Sequence, residues 1–71
     1  MKLYLTKGFD GEKVHCFGEF QDEKSLNSAI LNFKNNSKER YRITPYETIT
    51  STNDGKVVDF GDYSYFLKIE N

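Results

Sequence analysis

This 71-residue chain holds one cysteine, one histidine, one proline and no tryptophan, and each shortage closes a route to stability or function. A lone Cys16 forms no intrachain disulfide. With His15 it falls short of the four Cys/His ligands of a structural zinc site. No segment approaches the roughly 18 apolar residues that cross a bilayer. The opening stretch MKLYLTKGFDGEK has no apolar core of a secretory signal, so a cytoplasmic protein is expected. A formal net charge of −1 excludes a general polyanion binder, although not a local basic patch.

Length sets a further limit. A chain of this size is one domain, residues 1–71, and removes only about 60% of its unfolded surface from water. Ligand pockets enclose roughly 300–1,000 Å³, a large void for so thin a core. The expectation is a non-enzyme with no cofactor and no metal. What the chain does have is aromatics, six Phe and five Tyr. Each buries more area than an aliphatic side chain.

The hydropathy pattern lays out six elements. Residues 2–6 alternate, with Leu3 and Leu5 opposite Lys2, Tyr4 and Thr6, the period-two signature of a half-buried strand. A Gly-rich turn at 7–12 leads into a second alternating stretch, 13–20. There Val14, Cys16 and Phe20 are expected on the core face, with His15 and Phe17 on the other. Over 22–37, Leu26, Ala29, Ile30 and Phe33 fall at i, i+3, i+4 and i+7, one apolar stripe of a helix. Asp22 is its expected N-cap. Residues 38–44 alternate again, and Pro45 marks that strand as an edge or a bend. The stretch 45–53 reads equally as a continued strand or a turn. Asn53-Asp54-Gly55 is the strongest hairpin signal. A strand at 56–60, a break at Gly61-Asp62 and a last strand at 63–69 complete the chain. The expected fold is α+β: a small antiparallel β-sheet, order β-β-α-β-β-β, packed against one α-helix.

Candidate chemistry is sparse. Asp59-Phe60-Gly61 matches the magnesium triplet of protein kinases, but without the phosphate loop and catalytic loop that give that triplet meaning. Asp54, Asp59 and Asp62 lack the spacing of a calcium loop and suit turns. His15 and Cys16 are adjacent in a strand, so they point apart and form no nucleophile–base dyad.

Two surfaces remain. Tyr4, Phe17 and Phe66, rimmed by His15 and Lys68, are expected on the sheet face away from the helix, which a one-helix protein cannot cover. That composition suits a protein-binding surface, for another protein or for a second copy in a homodimer. Lys34, Lys38, Arg40 and Arg42 form a basic cluster, the two arginines projecting from one strand, that would suit nucleic acid. The primary expectation is a small non-catalytic binding protein, an inhibitor or adaptor of the size phages make against host machinery. It would use its aromatic sheet face or an edge strand. Nucleic-acid binding is the alternative.

Overall fold

The computed structural model describes residues 1–71. Its elements are β1 (Lys2–Lys7), β2 (Glu12–Glu19), α1 (Glu23–Asn36), β3 (Thr48–Thr52), β4 (Gly55–Asp59) and β5 (Tyr65–Glu70). The strands form one antiparallel sheet in the order β2-β1-β5-β4-β3, so the first and last strands of the chain pair at its centre. The α+β class and the β-β-α-β-β-β order are as the sequence pattern implies.

The helix starts where its chemistry requires. Asp22 is extended, and its carboxylate accepts the Ser25 N–H at 2.8 Å, satisfying one of the first-turn donors. That bond from the Ser25 backbone holds the Asp22 carboxyl below its ordinary range. Leu26, Ile30 and Phe33 bury one stripe against Leu3 and Leu5 of β1, Leu67 and Ile69 of β5, Val58 of β4, and Phe60 just beyond it. Each such side chain contributes about 1.5–3 kcal/mol when fully buried. Thirteen of 71 residues are buried, so each member of this core carries a large share of the stability.

Strand β2 departs from simple alternation. Its register with β1 runs Leu3↔Gly18 then Tyr4↔Cys16, skipping Phe17, and Leu5↔His15 then Thr6↔Lys13, skipping Val14. Each skipped residue is a bulge, and each bulge reverses the parity beyond it. Opposite Leu5, His15 lies on the helix face. Phe17 meets Phe33 edge-on at 5.4 Å. Opposite Tyr4, Cys16 lies on the other face and is exposed. The expected faces of His15, Phe17 and Cys16 are therefore exchanged, and Val14 is 47% exposed rather than core. Phe20 does pack against the core.

Residues 38–44 do not form the expected strand. The Arg40 and Tyr41 N–H groups donate to the Ser37 carbonyl and close a turn after α1. The Arg42 N–H donates to the Asp62 carboxylate at 2.9 Å, and the Thr44 N–H to the Phe60 carbonyl at 3.0 Å. With those donors taken by the 60–62 corner, no regular ladder is left to build. Tyr41 and Ile43 still pack against the core. The edge strand comes later, at Thr48–Thr52. Tyr63, the first residue of the last expected strand, precedes β5 and is 83% exposed.

Candidate functional site

The five residues expected to form one aromatic face are divided between the two sides of the sheet. Tyr4, Phe66 and Lys68 lie away from the helix, whereas His15 and Phe17 lie on the helix side. The outer face is also covered in part by the chain itself. The Gly8 N–H extends the β1–β5 ladder to the Ser64 carbonyl at 2.6 Å, and beyond it the turn between β1 and β2 folds back over this face, where Asp10 reaches Lys68. Phe9 meets Phe66 edge-on at 5.8 Å. Lys13 lies over the Tyr4 ring at 4.4 Å and reaches Glu70 at 2.5 Å. That bond to Glu70 pushes the Lys13 ammonium above its usual pKa.

Lys68 organises this face. It is 1% exposed, and its ammonium donates to Asp10 at 2.5 Å, Asp54 at 2.7 Å and Thr52 at 3.0 Å. Asp10 belongs to the β1–β2 turn, where it takes a left-handed φ of 51°. Asp54 belongs to the β3–β4 turn, so a single buried cation clamps two turns together. Burial works against the charge, but hydrogen bonds to Asp10 and Asp54 outweigh it and raise the Lys68 pKa. The Lys68 bond, aided by Thr52, lowers that of Asp54.

The clamp gives a signed pH dependence. A lowered Asp54 pKa contributes stability above the unfolded value near 3.9, lost as pH falls through the folded value. A raised Lys68 pKa contributes below about 10.4, lost as pH rises through the folded value. Between about pH 5 and 10 the contribution is flat. Asp54→Asn is expected to lower the urea midpoint at pH 7, and its gap from the wild type should narrow steadily toward pH 2. A gap independent of pH would remove the charge from the explanation.

The basic cluster is dispersed. Lys34 pairs with Glu47. Arg42 donates from Nη1 to the Gly61 carbonyl at 2.6 Å and lies over Tyr63, 5.0 Å from the ring centroid. Lys38 and Arg40 are exposed in the turn after α1 rather than on a strand. The Asp59-Phe60-Gly61 triplet makes a corner, with the Asp59 carboxylate accepting the Gly61 N–H at 2.9 Å. Asp62 accepts from Ser64 and Tyr65, which starts β5.

Two grooves flank α1 on the helix side of the sheet. One, about 710 Å³, lies between β2 and the turn after the helix, with Phe17, Phe33, Tyr41 and Tyr65 among its walls and His15, Glu39 and Arg40 at its rim. The other, about 560 Å³, lies between α1 and the β3–β4 hairpin and is walled by Leu26, Ile30, Leu31, Ile49 and Val58. Leu31 and Ile49 are 58% and 56% exposed there.

The two sheet edges differ. Strand β2 is bulged twice and carries Glu12, Lys13 and Glu19, features that discourage pairing. Strand β3, TITST, is regular, uncharged and rich in β-branched residues. Thr52↔Gly55 closes a two-residue turn and is a hydrogen-bonded pair; alternation makes Thr50↔Val57 and Thr48↔Asp59 the same. Ile49 and Ser51 therefore direct their N–H and C=O groups outward, and no hydrogen bond outside the sheet ladders engages them. Sequence reasoning placed the edge at 38–44 and left 45–53 undecided. The run Thr48-Ile49-Thr50 was the signal available. Comparison with protein-family models, curated proteins and solved structures gives no match.

Proposed function

We propose that this chain is a non-catalytic protein-binding module that takes its partner as an added strand along β3. The observation that carries the reading is the outer edge of β3, a regular ladder with outward backbone donors and acceptors and an exposed Ile49 beside it. Added strands draw affinity from main-chain hydrogen bonds and specificity from alternate side chains, which here meet the groove walled by Ile49 and Leu31. The partly covered outer face supports an aromatic docking surface less well. Arg42 and Lys34, being already engaged, support the nucleic-acid reading less well.

Ser51→Pro tests it. The Ser51 N–H points away from β4, so proline removes an outward donor and spares the ladder within the sheet. Immobilised Ser51→Pro is expected to keep its circular dichroism spectrum and lose the proteins captured by the wild type from its native cells. Tyr4→Ser, on the outer face, should retain them. Capture that survives Ser51→Pro but not Tyr4→Ser would overturn the edge reading.

A further inference from the structure

We infer that the strand taken up by β3 is β3 of a second copy, joined about a two-fold axis at Ile49. This rests on the edge reading above and names its partner. An antiparallel pairing with Ile49 opposite Ile49 of the second copy sets Glu47 against Ser51 and Thr48 against Thr50. The outward-directed groups of Ile49 then meet those of Ile49, and those of Ser51 meet Glu47, so the pairing is hydrogen bonded at the residues left free in one chain. The ladder ends where Pro45, with no donor, would fall opposite Asn53 in the turn.

Side chains agree with that register on both faces. On the helix side the two exposed Ile49 side chains cover each other at the mouths of the two grooves. Lys56, beside Ser51 in β4, is exposed and forms no ion pair within the chain. Glu47 of the second copy lies across Ser51 on the same face, two strand spacings from Lys56, about 10 Å between backbones. Two long side chains span that gap, so Glu47 joins Lys34 of its own chain and Lys56 of the other. On the outer face Thr48 meets Thr50 twice, a favourable cross-strand pair. Shifting the axis to Thr50 would oppose each Ile49 to a serine and lose the contact between the two Ile49 side chains. The symmetric contact is isologous and closed, so it yields a dimer with a ten-stranded sheet rather than a fibre.

Cross-linking reads the register directly. In a Cys16→Ser background, Ile49→Cys places two thiols in a hydrogen-bonded pair with Cα atoms about 5.5 Å apart, within disulfide range. Ser51→Cys places its thiols four residues out of step, about 13 Å apart along the strands. Mild oxidation is expected to convert most Ile49→Cys chains to a covalent dimer and to leave Ser51→Cys chains largely single. Light scattering of the unmodified protein should give twice the 8.3 kDa chain mass, falling to one chain mass in Ser51→Pro. A single-chain mass at millimolar concentration, or equal cross-linking at both positions, would overturn the self-pairing. In that event, capture of a different protein that is lost in Ser51→Pro would leave the edge reading standing. Without such capture both fall.

Discussion

Replacing Phe60 by alanine is expected to cost about 3–5 kcal/mol, the range for removing a buried aromatic ring. Phe60 is fully buried, with Phe33 edge-on at 5.2 Å and Tyr41 at 6.4 Å. These rings come from α1, from the turn after it and from the end of β4, so truncation loosens three parts of the chain at once. The core has little to move into the gap. A 71-residue domain has a total stability of only some 4–10 kcal/mol at roughly 0.05–0.15 kcal/mol per residue. Much of the Phe60→Ala protein should therefore be unfolded or close to it. Urea denaturation followed by circular dichroism measures this, with Phe60→Leu as the milder comparison that keeps most of the volume. A Phe60→Ala midpoint within experimental error of the wild type would contradict the burial of Phe60 in the core.

The second large effect is expected at Gly55, for a reason that side-chain burial does not show. A Cβ on Gly55 would lie 1.8 Å from the Ile69 carbonyl oxygen and 2.9 Å from its carbon, both backbone atoms of β5. No rotamer relieves that contact, because the obstruction is the neighbouring strand itself. Gly55→Ala must push β4 away from β5 at the Gly55↔Glu70 pair, next to the turn that carries Asp54 to Lys68. The expected loss is about 3 kcal/mol or more, the upper end for forced overpacking. Its location gives it a second signature. Amide exchange should accelerate first in β3 and β4, and under the proposed β3 self-pairing the single-chain form should increase. Lys24→Ala, exposed on α1 and in no ion pair, should leave urea stability nearly unchanged. Equal stability of Gly55→Ala and wild type would mean that the strands are further apart than this geometry has them.

Some of this was legible residue by residue. The Leu26–Ile30–Phe33 stripe and the Asp22 cap define α1 because helical periodicity and capping are local. The alternation of Leu3 and Leu5, and of Leu67 and Ile69, assigns two central strands and their buried faces. Asn53 and Asp54 form the hairpin loop, with Gly55 starting the return strand. Phe60 as a core anchor followed by a Gly-Asp corner also follows from local chemistry, and Asp59 accepts the Gly61 N–H there.

The candidate site was not legible in the same way. Its elements depend on pairings between residues far apart in the chain. Two bulges in β2 moved His15 and Phe17 to the helix side, and a bulge leaves no mark in composition because any residue can be the unpaired one. Lys68 read as a rim charge, since nothing local shows that Asp10 and Asp54, 58 and 14 residues away, would close over it. The segment with Arg40 and Arg42 alternates like a strand, yet its backbone donors are taken by the 60–62 corner.

The sequence by itself determined the class, the helix and the central core, because periodicity, capping and turn chemistry act over a few residues. Tertiary structure alone decided which strand became the free edge, which face the loops covered and where the buried lysine found its acids. Those outcomes depend on register and on long-range partners. A register shift of one residue exchanges the faces while leaving every local preference satisfied.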